Sequence, residues 1–459
     1  MSKELKTHYA IVGAGIAGIT AAEAIREVDS KRELLLINGE KVAPYCRPLI
    51  IELLKGERAF DEVHLRGQNW FEEKNISIIT GDPAVRLDAE RKRLLLESGS
   101  TVEWKKLLIA VGSKPAMPRI NGIEDVPAFT LYRQDDIEHI KPRCKPGAKA
   151  LLIGIGLIGL QAMTSLRELE VDVVAIELKR KVLPLILDEK AAKYAKQKLE
   201  QNGIEIHLGT SVKKVWSVNG TGHPYAALTS GGDEIAFDFL VTTTGMKPDF
   251  SLINGSTIET NRGIKVSPDM QTSVSDVFAA GDVTQYPNWI EGRVEIHAHW
   301  VNAYRQGRIA GLRMAGKISA PYDPVYINSL NVFGLPIITM GASRIDKPKD
   351  AEVYVSNAPA RPAYRRFVVK GGRLVAATFL NDTNRAGVFQ YLMREKVDIG
   401  NIAEALFDQK LEGMEFLYKY HDEVIQGNVD WPASMDLIDK YKKDHSHTRW
   451  GKVKKRKKS

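Results

Sequence analysis

The sequence predicts an α/β fold in which one strand–turn–helix unit occurs twice. Two glycine fingerprints, Gly13-Ala14-Gly15-Ile16-Ala17-Gly18 and Gly154-Ile155-Gly156-Leu157-Ile158-Gly159, lie 141 residues apart. Each follows a short apolar run and opens an apolar, Ala/Leu-rich segment, as expected where a buried strand turns into a helix. An acidic residue follows each fingerprint: Glu40 lies 22 residues beyond Gly18, and Glu177 lies 18 residues beyond Gly159. Together these features predict two Rossmann-like domains.

The glycines of such a fingerprint have separate physical roles. The first makes the tight turn, the second lets the backbone approach a pyrophosphate, and the third lets the helix pack on the strand. The phosphates lie at the helix N-terminus, where free N–H groups and the helix dipole favour anions. Two such sites predict two dinucleotides with hydride or electron transfer between them. The expected binding residues are Gly13, Gly15, Ile16, Ala17 and Gly18 at the first site, and Gly154, Gly156, Leu157, Ile158 and Gly159 at the second.

Glu40 and Glu177 are expected to bind the two adenine riboses. Each stands at the end of a β-like run, 33–40 (ELLLINGE) and 171–177 (VDVVAIE). A carboxylate at a strand end accepts hydrogen bonds from both ribose hydroxyls. The alternative is that the two acids only cap or solvate loops, but the complete βαβ pattern around them favours the binding role.

Length and composition fit a protein of two or three domains. The chain has 459 residues, of which 44% are hydrophobic, enough to form sizeable cores. No apolar stretch approaches the roughly 18 residues of a membrane span, and no signal peptide precedes the first strand, predicted to begin near His8. Two cysteines, Cys46 and Cys144, are too few for a disulfide framework or a structural zinc site. We therefore expect a soluble, cytoplasmic protein.

The excess of basic residues belongs to the C-terminal end. The formal net charge is +8, and residues 439–459 contain ten Lys/Arg against two Asp, so the other 438 residues are neutral in sum. A run such as 452–458 (KVKKRKK) is most often a disordered, solvated end. Docking on an acidic partner is the alternative, and the lack of an accompanying aromatic-lined groove argues against nucleic acid.

Five further segments carry recognisable motifs in a fixed order. They are 44–50 (PYCRPLI), 107–115 (LLIAVGSKP), 242–249 (TTTGMKPD), 275–283 (SDVFAAGDV) and 300–307 (WVNAYRQG). They resemble the motifs of the FAD-dependent pyridine nucleotide oxidoreductases, in particular the ferredoxin, rubredoxin and nitrite reductase flavoproteins. The resemblance covers about residues 7 to 420. It implies a Rossmann-like FAD domain, a Rossmann-like NAD domain inserted in it, and a C-terminal α+β interface domain.

The resemblance also implies the domain boundaries. The FAD-binding domain is expected at 1–122 and 249–320, the NAD-binding domain at 123–248, the interface domain at 321–430, and a basic tail at 431–459. In relatives the third domain packs over the flavin and forms a dimer or partner interface. A homodimer or a multi-subunit complex is therefore expected.

The third domain has a clear pattern of its own. Residues 364–370 (YRRFVVK) and 373–380 (RLVAATFL) are strand-like and flank Gly371-Gly372, a hairpin turn signal. The stretch 386–395 then has apolar residues at helical spacing.

The resemblance implies further residues of the cofactor sites. Asp282 corresponds to the family's aspartate that holds a ribitol hydroxyl of FAD. Arg47 is expected near the FAD pyrophosphate, where its planar fork matches phosphate oxygens, with a surface salt bridge as the alternative. Other cofactor contacts are expected from Pro48, Ala110, Gly112, Gly281, Val301 and, in the NAD domain, Gly245.

The implied activity is an NADH-linked FAD oxidoreductase that exchanges electrons with an iron–sulfur protein. The cofactors carry this chemistry and the protein orients them, with hydride passing from nicotinamide C4 to flavin N5, so no catalytic side chain is obligatory. The chain lacks the cysteine clusters of an iron–sulfur centre, which is therefore expected on another polypeptide. Glu177 would repel a 2′-phosphate and so favours NAD, whereas Lys179, Arg180 and Lys181 would accommodate NADP.

Two other functions stay open. Some NADH oxidases and peroxidases of this superfamily cycle a single cysteine, and Cys46 lies near that place, although Arg47-Pro48 follows it where those enzymes usually have glycine. An inert, buried thiol is the favoured interpretation, because reactivity needs a low thiolate pKa. A disulfide reductase is excluded because Ile51 replaces the second cysteine of the CxxxxC pair. The other alternative is a flavoprotein whose redox state controls assembly or binding through the basic tail.

Two positions depart from the family pattern together. Many ferredoxin reductases pair a lysine and a glutamate beside flavin N5, where this chain has Ile51 and Gln161. Loss of one partner alone would leave a poorly compensated charge, whereas loss of both does not. Similar replacements occur in relatives that serve multi-subunit iron–sulfur systems. His297 and His299 alternate in a predicted loop, where a structural or flavin-edge role is favoured over a metal site.

Overall fold

The chain forms two compact units. The computed structural model describes residues 3–67, 69–219, 222–288, 290, 292–296, 298–324, 326–346, 348–358, 363–400, 403, 407 and 451–452. The first unit contains the described residues of Met1–Pro184 and Lys196–Pro324, and the second contains those of Leu185–Ala195 and Val325–Ser459.

The helices within these residues are of very different lengths. They are α1 (Ile16–Val28), α2 (Ile50–Lys55), α3 (Trp70–Glu73), α4 (Gln134–Ile140), α5 (Leu157–Glu168), α6 (Glu189–Gln201), α7 (Trp300–Met314) and α8 (Ala386–Arg394). Short 3-10 helices occur at Arg47–Leu49, Asp61–Val63, Ile123–Asp125, Lys141–Arg143 and Ser251–Ile253. None of the helices in the described ranges combines the length and the apolar character that crossing a membrane requires.

The strands are short and numerous. In the first unit they are β1 (Glu4–Val12), β2 (Leu34–Asn38), β3 (Ser77–Thr80), β4 (Ala84–Asp88), β5 (Arg93–Leu96), β6 (Thr101–Ile109), β7 (Ser113–Pro115), β8 (Ala128–Thr130), β9 (Lys149–Ile153), β10 (Asp172–Glu177), β11 (Ile204–Leu208), β12 (Val212–Ser217), β13 (Tyr225–Thr229), β14 (Glu234–Phe237), β15 (Phe239–Thr242), β16 (Met246–Pro248), β17 (Ile264–Lys265), β18 (Val277–Ala279), β19 (Thr284–Asn288) and β20 (Arg293–Ile296). In the second unit they are β21 (Ile327–Val332), β22 (Leu335–Gly341), β23 (Glu352–Ala358), β24 (Ala363–Lys370), β25 (Arg373–Leu380) and β26 (Gly451–Lys452).

The first sheet carries the first glycine fingerprint. Its strand order is β3-β2-β1-β6-β5-β4, with β18 also paired to β6. β3, β2, β1, β6 and β18 run parallel, and all five residues of β2 are buried, as expected for a parallel strand covered on both faces. The predicted start of β1 near His8 is wrong by four residues. Backbone pairing of Glu4 with Thr101 extends the strand beyond its apolar run.

The second sheet carries the second fingerprint. Five parallel strands lie in the order β11-β10-β9-β15-β8. The first fingerprint joins β1 to α1 and the second joins β9 to α5. The predicted strand–turn–helix position of both fingerprints is therefore confirmed, and so is the α/β fold class.

A pair of short strands links the two sheets. β7 and β16 run antiparallel, with Ser113 opposite Pro248, so the chain leaves the first sheet through β7 and returns through β16. The second sheet lies between these strands in sequence, as an inserted domain requires, while the boundaries near 122 and 249 stay predictions. β12-β13-β14 and β17-β19-β20 form two small additional sheets.

Helices α1 and α7 pack with their backbones in close contact. A Cβ atom at Gly307 would lie 2.1 Å from the carbonyl oxygen of Ala17, and one at Gly311 would lie 2.4 Å from that of Ala21. Larger side chains at these two positions would separate the helices. Because Ala17 belongs to the first fingerprint, this packing fixes the start of α1 against α7.

The second unit is an antiparallel sheet with a helix. Its strand order is β21-β22-β25-β24-β23-β26, and the predicted hairpin is present as β24 and β25. The predicted helix is also confirmed, as α8, which ends one residue earlier than expected. Phe367 anchors the core, with ring centroids 4.3 to 5.4 Å from those of Phe379, Phe389 and Phe407. Within the predicted basic tail, the structure describes the backbone of β26, which pairs with β23.

Candidate dinucleotide-binding sites

The first glycine loop is closed against the protein at both ends and open in the middle. Gly13 has φ +105°, which L side chains rarely adopt, and a Cβ there would lie 2.2 Å from the carbonyl oxygen of Ala110. A Cβ at Gly18 would lie 1.9 Å from the carbonyl oxygen of Gly13. Around Gly15, an added Cβ would meet no atom within 4 Å. Space for a ligand therefore exists at the second glycine.

The second glycine loop repeats this geometry. Gly154 has φ +103°, and its Cβ would lie 2.6 Å from the carbonyl oxygen of Thr243. A Cβ at Gly159 would lie 2.1 Å from the carbonyl oxygen of Gly154 and 2.7 Å from Oγ1 of Thr243. An added Cβ at Gly156 again meets no atom within 4 Å. The two loops therefore have the same pattern of contacts and the same open position.

Each open glycine is the N-cap of a helix. Gly15 precedes α1 and Gly156 precedes α5, and neither N-terminus has a side-chain cap hydrogen bond. The first turns contain the predicted residues Ile16 and Ala17 in α1, and Leu157 and Ile158 in α5. Backbone N–H groups at such N-termini have no partner within the helix and suit a diphosphate. Both loops therefore fit the pyrophosphate of a dinucleotide.

Glu177 is hydrogen-bonded to the second loop. It ends β10 and is 8% exposed. Its Oε2 accepts the backbone N–H of Ile155 at 2.9 Å, and its Oε1 accepts that of Lys179 at 2.8 Å. The structure thus places the predicted ribose acid next to the open glycine of the loop.

Glu40 and Arg47 form a partly buried network with Tyr45. Arg47 pairs with Glu40, and the Tyr45 hydroxyl donates to Glu40 Oε2 at 2.9 Å. Arg47 Nη1 donates to the Tyr45 hydroxyl and to the carbonyl of Tyr132, both at 3.2 Å. Burial lowers the pKa of Arg47, but Tyr132, Glu40 and Tyr45 raise it by more, so the guanidinium stays charged.

The alternative role considered for Arg47 was a surface salt bridge. Arg47 does form an ion pair, with Glu40, but the pair is partly buried. The side chains of Arg47 and Glu40 are 28% and 22% exposed. The contact of Arg47 with a pyrophosphate stays a prediction.

Asp282 is a partly exposed residue of the first unit. It lies three residues beyond β18. The surrounding protein buries its carboxyl enough to raise the pKa of that group. Ser113 Oγ donates to Asp282 Oδ2 at 3.1 Å. The preceding N–H, of Gly281, donates to Oε1 of Gln306 on α7 at 2.7 Å. Asp282 is therefore bonded to β7, and the residue before it is bonded to α7.

Sequence reasoning missed Tyr132, and it included Gln306 in a motif segment without assigning it a role. The Tyr132 ring lies against Arg47, with Cζ of Arg47 4.3 Å from the ring centroid. Burial raises the pKa of the Tyr132 hydroxyl, and the nearby side chain of Ser113 lowers it in part. Tyr132 follows β8 and lies outside every motif, so nothing in the local sequence distinguishes it. Gln306 lies inside the segment 300–307, where its helical position one turn after Asn302 was the available signal.

The remaining predicted cofactor residues lie near the first loop, in the Arg47 network, on α7 and at the linking strands. Ala110 and Pro48 adjoin the first loop and the Arg47 network: Ala110 contacts Gly13, and Pro48 lies in the 3-10 helix Arg47–Leu49. Val301, in the first turn of α7, is 56% exposed. Gly112 and Gly245 lie at the linking strands, where their carbonyls accept the N–H groups of Asp249 and Ala116.

The two cysteines are in environments that favour the neutral thiol. Burial raises the pKa of Cys46, and burial raises the pKa of Cys144 to about 11. Cys46 is half-buried, with its backbone N–H donating to Val63. Cys46 is the N-cap residue of the 3-10 helix Arg47–Leu49. Burial outweighs the N–H of Leu49, which lowers the pKa of the thiol.

Of the two histidines considered for a metal site, the structure describes His299. His299 is the N-cap residue of α7, and burial lowers its pKa to about 4. His297 lies outside the described residues. Among the residues that the structure describes, no three His, Cys, Asp or Glu side chains are grouped to hold a metal ion.

Ile51 and Gln161, the two residues that differ from the family pattern, lie on α2 and α5. Ile51 is half-buried and Gln161 is exposed. Another ion pair joins the same two helices, with Lys55 Nζ 3.1 Å from Glu168. An ion pair therefore does connect α2 and α5, at a turn other than that of Ile51 and Gln161.

Comparison with known proteins agrees with this architecture. Residues 327–397 match the rubredoxin NAD+ reductase C-terminal domain. The NADH-rubredoxin oxidoreductase of Clostridium acetobutylicum is 28% identical over 82% of this chain and 92% of its own length. The NADH-dependent phenylglyoxylate dehydrogenase subunit epsilon of Aromatoleum evansii is 29% identical over 83% of this chain and 88% of its own.

A solved structure extends the comparison to three dimensions. The crystal structure of NADH:rubredoxin oxidoreductase from Clostridium acetobutylicum superposes with a TM-score of 0.70 at 26% identity, covering 87% of this chain and 97% of that one. Residues 7–307 match the family described as pyridine nucleotide-disulphide oxidoreductase. The chain therefore belongs to the pyridine nucleotide-disulphide oxidoreductase family and is an oxidoreductase that binds FAD and NAD(H).

Proposed function

We propose that this oxidoreductase passes electrons from NADH, through FAD, to an iron–sulfur protein or partner subunit. The observation that carries the proposal is the presence of two open glycine loops in one compact unit, each at a free helix N-terminus. Two dinucleotides bound in one unit allow a reaction between them. When bound, FAD would supply two-electron exchange with the nicotinamide and one-electron exchange with an iron–sulfur acceptor.

The first loop is assigned to FAD. Gly15 and the N-terminus of α1 would receive the pyrophosphate, with Arg47 supplying a charged donor beside it. Asp282, whose carboxylate is held by Ser113, would accept a ribitol hydroxyl. Glu40 would accept the ribose hydroxyls and share its carboxylate with Arg47 and Tyr45.

The second loop is assigned to NADH. Gly156 and the N-terminus of α5 would receive the pyrophosphate, and Glu177 would accept the adenine ribose hydroxyls. Because Glu177 is negative and held beside the loop by two backbone N–H groups, it disfavours a 2′-phosphate. NADH is therefore the expected donor, with NADPH poorer.

Two observations support an external electron acceptor. The pKa of Cys46 is raised by burial, which disfavours a thiolate that would react with peroxide or disulfide. The names of the two relatives compared above both include NADH, and one of the names also includes rubredoxin. The proposal includes a partner subunit as acceptor because the second relative is itself named as a subunit of a dehydrogenase.

Anaerobic stopped-flow spectroscopy tests the proposal. The full-length flavoprotein is mixed with NADH or NADPH, and the reduced protein is then mixed with oxygen, rubredoxin or ferredoxin. We expect fast bleaching of the flavin by NADH, slow reoxidation by oxygen and fast reoxidation by an iron–sulfur protein. Rapid turnover with oxygen or peroxide that Cys46→Ser abolishes would replace the proposal with an oxidase or peroxidase. Slow reduction by NADH would favour a flavoprotein that acts by binding.

A further inference from the structure

We propose that Tyr132 is a positioning residue for FAD, which orients Arg47 with its ring and carbonyl and adjoins the Ser113–Asp282 pair with its hydroxyl. The inference rests on the proposed assignment of Arg47 and Asp282 to the FAD site. Tyr132 belongs to none of the motif segments, and it reaches the site from the end of β8, a strand of the second sheet.

The first contact of Tyr132 fixes the plane of a guanidinium. Cζ of Arg47 lies 4.3 Å from the centroid of the Tyr132 ring, and its Nη1 donates to the Tyr132 carbonyl at 3.2 Å. A cation over an aromatic face is attracted by the ring quadrupole, most strongly where water is scarce. The ring therefore covers one face of the guanidinium while the carbonyl binds one edge. The other donors of Arg47 stay directed at Glu40 and Tyr45.

The second contact is at the other end of the side chain. The Tyr132 hydroxyl lies next to Gly112, where an added Cβ would be 3.7 Å away. Burial raises the pKa of the Tyr132 hydroxyl, and the side chain of Ser113 lies close enough to lower it in part. The same serine donates to Asp282 Oδ2 at 3.1 Å. One tyrosine thus contacts both the cation proposed for the pyrophosphate and the serine that holds the carboxylate proposed for the ribitol.

The backbone of Tyr132 is itself held in place. Asp136, in the first turn of α4, accepts the N–H of Tyr132 at 2.7 Å and that of Arg133 at 2.8 Å. The Thr130 hydroxyl donates to the same carboxylate at 3.0 Å. This turn has its hydrogen bonds satisfied without a ligand. The ring of Tyr132 therefore projects from a fixed turn and is able to orient Arg47 before FAD binds.

The experiment measures release of FAD from the full-length holoprotein on dilution, followed by the rise in flavin fluorescence. Tyr132→Met removes the ring but keeps a side chain of similar length. We expect FAD to bind roughly tenfold more weakly, the size of a desolvated cation–π contact. In an Arg47→Met background, Tyr132→Met should weaken binding only by the roughly threefold expected from its hydroxyl, because the ring acts through Arg47.

A second pair of variants tests the hydroxyl separately. Tyr132→Phe keeps the ring on Arg47 and loses the contact with Ser113. We expect roughly threefold weaker FAD binding, and no added loss in a Ser113→Ala background. This pair decides the question if Tyr132→Met does not fold.

Phe129→Leu is the matched control. Phe129 is three residues away on β8, and its ring lies 4.8 Å from Cζ of Arg143, away from the Arg47 network. Its loss should lower the melting temperature while leaving the FAD dissociation constant within about twofold of wild type.

The outcomes test the positioning role of Tyr132 separately from the assignment of Arg47 and Asp282 to the FAD site. If Arg47→Met and Asp282→Asn leave FAD binding unchanged, the assignment of the site is wrong. If Arg47→Met and Asp282→Asn weaken FAD binding but the Tyr132 variants do not, the positioning role of Tyr132 is overturned. The same holds if the Tyr132 variants weaken binding by the same factor whether or not Arg47 and Ser113 are present. Equal losses in Phe129→Leu and Tyr132→Met would reveal a general structural effect.

Discussion

Glu177 Oε2 accepts the backbone N–H of Ile155 at 2.9 Å, so the acid at the end of β10 is bound to the middle of the second glycine loop. Glu177→Ala removes this bond and the negative charge. We expect the NADH dissociation constant to rise between about tenfold and about a hundredfold, the usual loss for hydrogen bonds to a charged group. The preference for NADH over NADPH should fall, since Lys179, Arg180 and Lys181 follow at once. Stopped-flow titration of flavin reduction with each nucleotide measures both.

Glu205→Ala is the control for that prediction. Glu205 lies on the neighbouring strand β11, is exposed and pairs with His207. Its removal changes the charge of the same region without touching the loop. A shift of nucleotide preference in Glu205→Ala as large as in Glu177→Ala would mean that general electrostatics, and not the bound carboxylate, sets the preference.

Gly156→Ala and Gly159→Ala are expected to fail in different ways. A Cβ at position 159 would lie 2.1 Å from the carbonyl oxygen of Gly154, so Gly159→Ala should destabilise the fold by about 2 kcal/mol or more. A Cβ at position 156 meets no protein atom within 4 Å and would project where a pyrophosphate is proposed. Gly156→Ala should therefore keep the wild-type melting temperature and bind NADH at least tenfold more weakly.

Thermal unfolding and NADH titration of both variants show whether each substitution lowers the stability of the fold or the affinity for NADH. The retained flavin spectrum provides the control, because the first loop is unchanged in either protein. Normal NADH binding by Gly156→Ala would remove the second loop from the proposed nucleotide site.

The glycine loops were predictable because some of their constraints are local. The contact at Gly18 is with the carbonyl of Gly13, within the same fingerprint, so the spacing of the glycines indicates it. The contact of Gly13 with Ala110, almost a hundred residues later, was indicated by the motif and not by its spacing. Glu177 was predictable for the same reason. The start of β1 was not, because pairing with Thr101 depends on a strand almost a hundred residues later.

Tyr132 shows why part of the site escaped prediction. Arg47 and Tyr132 are 85 residues apart in sequence and meet because the linking strands β7 and β16 join two sheets. No residue spacing encodes that meeting. Asp282 was identified through its resemblance to a family motif, whereas its partner Ser113 required the structure.

Cys46→Ser is expected to leave electron transfer to an iron–sulfur acceptor within about twofold of wild type. Burial raises the pKa of the Cys46 thiol, so its thiolate is scarce at neutral pH. For the same reason alkylation of the folded wild-type protein by iodoacetamide should be slow at pH 7 and should accelerate only in alkaline solution. Mass spectrometry of timed samples from pH 7 to pH 10 measures the rate.

Cys144 gives the comparison within the same samples. Its pKa is raised to about 11, so its alkylation should be slower still across this range. Rapid, pH-independent alkylation of Cys46 below pH 7 would indicate a stabilised thiolate and would revive the peroxidase alternative.

Asp29 is expected to make the first βαβ unit sensitive to acid. Burial raises its pKa, but the backbone N–H groups of Arg32 and Lys31, the Tyr9 hydroxyl and the Arg32 charge outweigh burial and lower the pKa to about 2. The Asp29 side chain is 14% exposed, and the Tyr9 hydroxyl donates to it at 2.9 Å. A carboxyl with a folded pKa below its unfolded value of about 3.8 stabilises the fold above that pH and loses this contribution as pH falls towards 2.

Asp29→Asn should therefore cost about 2 kcal/mol of unfolding free energy at pH 7, and about half of that difference from wild type should disappear by pH 3. Urea unfolding of both proteins at pH 6, 4.5 and 3 measures this trend. Asp88→Asn is the control, because Asp88 accepts an N–H from Arg91 in a similar loop at 3.0 Å but lies away from α1. A difference between wild type and Asp29→Asn that stays constant from pH 6 to pH 3 would show that packing, and not the ionised carboxylate, is what the substitution removes.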